Sequence, residues 1–110
     1  MVSDRNPEQM AQLAIDYLAS TDEPHARARA EYNALSELRK TVRAFCFEDS
    51  KGGVAERTMA AERHDDYVAH IEKIKQAEIA FHLLHNKRKR AELTVEMYRT
   101  WSANSRKGNI

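Results

Sequence analysis

The residues best equipped for chemistry are five histidines, one cysteine and a run of four cations towards the C-terminal end. His82 and His85 stand three apart and Glu78 lies four before His82, so a helix sets all three on one flank. A zinc or di-iron centre uses that geometry, but it also needs ligands from a second helix. The chain has no H-E-x-x-H, no pair of E-x-x-H motifs and no second cysteine. The flank therefore reads as a solvated or hydrogen-bonded histidine face, with neither metal nor cofactor expected. His64, beside Asp65 and Asp66, reads as capping chemistry, with Asp65 or Asp66 opening the helix that follows. Cys46 sits in the apolar run Phe45-Cys46-Phe47, where a thiol acts as a small buried hydrophobe. A reactive thiolate would want an electropositive setting instead. Glu56, Glu62, Asp65, Asp66 and Glu72 belong to charged helix surfaces, and no G-x-G-x-x-G, G-x-x-x-x-G-K-[ST] or G-x-S-x-G accompanies them. No catalytic residue is assigned, and a non-enzymatic protein is expected.

The sharpest local feature is Lys87-Arg88-Lys89-Arg90. Consecutive helical residues point about 100° apart, so these four form a belt rather than a stripe. Arg99, Arg106 and Lys107 extend the positive charge past Tyr98 and Trp101. Cations interleaved with aromatics suit phosphate contacts and base stacking. The candidate surface for a nucleic acid or another partner is therefore Lys87, Arg88, Lys89, Arg90, Arg99, Trp101, Arg106 and Lys107. The formal charge of +1 conceals a split: residues 1–84 carry 11 basic and 15 acidic side chains, residues 85–110 carry 7 and 2. A dedicated nucleic-acid binder is usually basic overall. The near-neutral sum favours a protein partner, with direct binding of single- or double-stranded nucleic acid as the alternative. A membrane-surface helix is disfavoured, because the basic belt interrupts the apolar seam instead of flanking it.

The elements that must position these residues are helical. Three glycines and two prolines in 110 residues are too few for the turns of a β-sandwich or barrel. Asn6 and Pro7 announce a helix over residues 7–19 with an apolar stripe of Met10, Leu13, Ala14, Tyr17 and Leu18. The stretch Ser20-Thr21-Asp22-Glu23-Pro24 is expected to end it and to start a long helix over 23–48. The second stripe is Ala28, Tyr32, Leu35, Leu38, Val42 and Phe45. Gly52-Gly53 predicts a reversal, followed by a short helix over 54–63 and a last one over 66–105. In that last helix Tyr67, Ile74, Ala77, Phe81, Leu84, Arg88, Ala91, Val95, Tyr98 and Ser102 fall on one seven-residue seam. Ile79, Leu83, Leu93, Met97 and Trp101 make a second stripe on a neighbouring face, and periodicity fades after Trp101, as at a fraying helix end. The expected fold is one all-α domain over residues 1–110, an elongated antiparallel helical hairpin or bundle with a long C-terminal helix. It is coiled-coil-like and dimeric, with Phe81, Leu84, Val95, Tyr98, Leu93 and Met97 as the candidate oligomer interface. The opening residues contain no apolar leader, no stretch is apolar enough to span a bilayer, and a lone thiol fits a reducing compartment. A cytoplasmic location is expected.

One set of motifs resembles a known group. Leu38-Arg39-Lys40-Thr41 precedes Gly53-Val54-Ala55-Glu56-Arg57, then an Ala-rich helical turn, Asp66-Tyr67, and a closing Glu96-Met97-Tyr98-Arg99-Thr100-Trp101-Ser102-Ala103-Asn104-Ser105-Arg106. Over residues 38–106 this is similar to small phage and prophage proteins. These share a Gly-Val/Thr-Ala-Glu-Arg segment and an ending like Trp-Arg-Ser/Thr-x-x-Ala-Asn-x-Arg. Here the order differs, since Tyr98 precedes Arg99 and Trp101 follows Thr100. Genes of that group lie beside single-strand annealing and single-strand-binding proteins. The resemblance implies an accessory role in phage DNA recombination or replication within a bacterial host cell, including inhibition of a host nuclease or defence factor. It carries over no catalytic residue.

Overall fold

The computed structural model describes residues 6–108, which form three α-helices and no strand: α1 (Pro7–Glu48), α2 (Val54–Arg63) and α3 (Asp65–Gly108). The fold is all-α, an antiparallel pair of long helices with a short third one between them in sequence. The leader-free reading of residues 1–5 and the last two residues of the expected fraying tail lie outside the described residues.

Helix α1 starts as its sequence dictates. The Asn6 side chain accepts from the Gln9 N–H at 2.8 Å, and the Gln9 side-chain oxygen accepts from the Asn6 N–H at 3.1 Å. This reciprocal cap satisfies two donors at the helix start. The expected break at residues 20–24 does not occur, and Pro24 lies inside a continuous 42-residue helix. Proline costs a helix one N–H and crowds the carbonyl four residues earlier. That turn is held from outside: Arg88 of α3 donates to the Leu18 carbonyl at 2.8 Å and to Thr21 Oγ1 at 2.7 Å. Thr21 in turn donates to the Tyr17 carbonyl. The clamp holds the turn that leads into Pro24.

The buried line along α1 runs through Ala11, Ala14, Leu18, Thr21, Tyr32, Leu35, Val42 and Cys46 rather than through every residue of the expected stripes. Leu38 and Phe45 are exposed, Phe45 by 66%, as are Met10 and Leu13. Steps alternating between three and four place the line on Val42 and Cys46, and Phe45, one residue before Cys46, is rotated about 100° away. On α3 the seam is the expected one, with His70 added: every residue named on it is buried or half-buried.

The chain divides into two compact units. Ala26–His82 contains the α1–α2 reversal, where Gly52 takes a φ of 110°, a left-handed conformation that favours glycine. Cys46, Ala61 and Tyr67 form its core, with Val42 and Phe47 packed against them. Polar ties fasten the three helices. Arg57 donates to the Phe47 carbonyl at 3.2 Å and lies 4.2 Å over the Phe47 ring. Arg43 pairs with Glu62 at 2.8 Å, Arg39 donates to the Tyr67 hydroxyl, and His70 Nε2 donates to the Leu35 carbonyl at 2.7 Å. The helix after α2 opens at Asp65, within the expected capping stretch, and its cap is His64. The Asp66 N–H donates to His64 Nδ1 and the Val68 N–H to the His64 carbonyl. An Nδ1 that accepts leaves the proton on Nε2, which donates to Asp49 Oδ2 at 3.1 Å. One imidazole therefore joins the end of α1 to the start of α3.

The second unit, Met1–His25 with Leu83–Ile110, pairs the N-terminal part of α1 with the C-terminal part of α3. The pairing is antiparallel, since Arg88 meets Leu18 and Thr21 while His85 meets His25. Its buried apolar side chains are Ala11, Ala14 and Ala91.

Candidate interaction surfaces

The basic belt is split by the helix that carries it. Arg88 falls on the seam and spends its guanidinium on Leu18 and Thr21, with Asp22 3.6 Å away. It is a structural tie, so it does not join its three neighbours in an outward cluster. Lys87, Lys89 and Arg90 are exposed, as are Arg99, Trp101, Arg106 and Lys107. The Trp101 ring stacks on Tyr98 with centroids 6.1 Å apart and the planes 30° from parallel.

The candidate oligomer residues separate in the same way. Phe81, Leu84, Val95 and Tyr98 share the seam with Arg88 and Ala91 and are half-buried within the chain itself. Phe81 stacks near Tyr32, with Arg29 5.5 Å above its ring. All four take part in the intrachain pairing, because a seam that repeats every seven residues serves whichever helix lies against it first, and Val95 also lines a groove on that side. Leu93 and Met97 remain outside, 59% and 72% exposed.

The histidine flank is also divided. His82 lies 3.9 Å from Glu78 with both side chains about half-exposed, whereas His85 stacks on His25 with ring nitrogens 3.1 Å apart. Among the described residues no group of three or more His, Cys, Asp or Glu is placed to hold a metal ion. Cys46 is buried in the α1–α2–α3 core. On the same side of the fold as the His82 ring, Tyr32 hydrogen-bonds Glu78. That bond and the carboxylate's charge hold the Tyr32 hydroxyl above its ordinary pKa of 10.0.

Sequence reasoning missed one feature. A groove of about 750 Å³ runs between α1 and α3 in the two-helix unit, with Ile15 and Leu18 on one side and Leu93 and Val95 on the other. Lys89, Glu92, Glu96 and Arg99 border it from α3. The spacing of those four, three then four then three, was a visible signal of one helix flank. Which apolar groups it borders depended on the pairing with α1.

No described helix is long and apolar enough to cross a membrane. Compared with protein-family models, curated proteins and solved structures, the chain matches none.

Proposed function

We propose that this chain is a non-catalytic accessory protein that acts by binding another protein, in the cytoplasm of a bacterial host cell. The observation that carries this reading is the outward placement of Met97 and Trp101 on α3, 72% and 54% exposed. Large apolar side chains gathered on one helix face mark a surface that another molecule covers. Met10 and Leu13 on α1 of the same unit are exposed as well. Aromatic and Met anchors with Arg at the edge are the composition of protein-binding hot spots. The partner class, proteins of phage or host DNA metabolism including a host nuclease or defence factor, rests on the resemblance over residues 38–106.

The test is affinity capture from prophage-bearing cells with the intact chain and a Met97→Asp/Trp101→Ser variant, each with and without nuclease. Expected is a protein of DNA metabolism held by the intact chain after nuclease treatment and lost by the variant. Retention by both, or no nuclease-resistant partner, overturns the reading. The exposure of Lys87, Lys89, Arg90, Arg99, Arg106 and Lys107 around Trp101 supports the second reading, direct nucleic-acid binding. In that case affinity falls by about one log unit per log unit of salt for each phosphate contact, and Gln at positions 87, 89 and 90 abolishes it.

A further inference from the structure

We infer that the groove between α1 and α3 in the two-helix unit is the seat of a second copy of this chain. The inference does not rest on the Met97–Trp101 reading, which concerns other residues.

The unit is underfilled on that side. Its buried apolar residues are all alanines, and the larger Leu18, Leu84, Val95 and Tyr98 are only half-buried. Leu93 and Ile15 are left roughly half-exposed at the groove's two edges. In the other unit, α2 supplies a third layer over the same two long helices. Here no third described helix covers the pair, which leaves that side open to another molecule.

Charge decides which molecule. The border carries Lys89, Glu92, Glu96 and Arg99, two cations and two anions, so it offers no net field to a polyphosphate or to an acidic or basic peptide. The order of signs reads plus, minus, minus, plus in either direction along α3. Two copies related by a two-fold axis present α3 to α3 antiparallel, with the same flank on both sides. Centred on the series, like charges would oppose one another. Slid along α3 in one direction, Lys89 of each copy meets Glu96 of the other; slid in the opposite direction, Glu92 meets Arg99. The border thus complements itself and penalises the centred register, while Leu93 and Ile15 supply the apolar contact.

The mass of the full chain is measured by sedimentation equilibrium from micromolar to millimolar concentration, with helicity monitored by circular dichroism. The intact chain is expected to approach twice 12.7 kDa. Two charge variants, Glu92→Lys/Glu96→Lys and Lys89→Glu/Arg99→Glu, carry uniform borders of opposite sign. Each alone should be a folded monomer, and an equimolar mixture should recover the dimer. Leu93→Glu, at an exposed position, should stay helical and weaken self-association by about tenfold or more. The inference is overturned by an intact chain that stays monomeric, which would leave the groove to a different protein. It is equally overturned by dimers that persist in both charge variants alone, or by folded variants that fail to associate when mixed.

Discussion

In Ala26–His82 a third helix closes the pair of long helices over Cys46, Ala61 and Tyr67, whereas in Met1–His25 with Leu83–Ile110 the same two helices meet over Ala11, Ala14 and Ala91. The first unit has a core in the ordinary sense, with Ala61 at 0% exposure where the helices converge. The second is held by shape and by polar ties, above all the Arg88 clamp on Leu18 and Thr21. It leaves Met97, Trp101 and Leu93 outside, and the first unit likewise leaves Phe45, Val54 and Met59 outside. Two helices bury one stripe each, and a helix with two apolar stripes keeps one for something else. The two units therefore differ in how their helices are closed, not in whether they expose apolar side chains.

The largest expected effect tests that division directly. Tyr67→Ala removes a buried ring and its hydroxyl contact with Arg39, at a cost of about 3–5 kcal/mol by chemical denaturation. Tyr98→Ala, on the same seam in the two-helix unit, should cost distinctly less, because that ring is only half-buried. Equal losses would mean that the two units are closed alike. Next comes the clamp. Arg88→Ala should cost about 1.5–3 kcal/mol, the range for hydrogen bonds made by a charged group, and should speed hydrogen exchange around residues 18–22. Arg90→Ala, two residues away on the exposed face, should stay within about 0.5 kcal/mol. If the two behave alike, the two-helix unit is not held by Arg88.

The smallest effect belongs to the three-helix unit and appears only in alkali. Tyr32 is held above its ordinary pKa of 10.0 by its hydrogen bond to Glu78 and by that carboxylate's charge. The folded state thus prefers the neutral phenol. Its contribution is fully present below pH 10 and is lost as pH rises through the higher folded value. Thermal unfolding followed from pH 8 upward should show a shallower alkaline decline in Tyr32→Phe than in the intact chain.

Much of this architecture was legible before any coordinates. The seam from Tyr67 to Ser102 follows from residue spacing, because apolar periodicity is a local property of a helix. The Gly52-Gly53 reversal was legible for the same reason, since only glycine takes the φ of Gly52 easily. The α1 line was harder to read. Phe45 outranks Cys46 in size and apolarity, yet it is Cys46 that faces Ala61 and Tyr67, and a one-residue difference turns a side chain by about 100°. His70 escaped notice because a histidine on an apolar seam needs a specific acceptor, and its acceptor is the Leu35 carbonyl thirty-five residues away. The groove escaped for a related reason, since one of its walls, Ile15 and Leu18, comes from α1.

The sequence by itself determined that the chain is helical, where it reverses and which residues of α3 share a seam. Each of these depends on neighbours within a turn or two. Only the tertiary structure decided that α1 passes unbroken through Pro24, that Arg88 is a clamp while Lys87, Lys89 and Arg90 face outward, and that Phe81, Leu84, Val95 and Tyr98 are half-buried in the pairing within one chain. Those outcomes turn on groups some sixty to seventy residues apart, such as the Leu18 carbonyl and the Arg88 guanidinium. A polar side chain on an apolar seam acquires its role from the acceptor that happens to face it, and no local pattern names that acceptor.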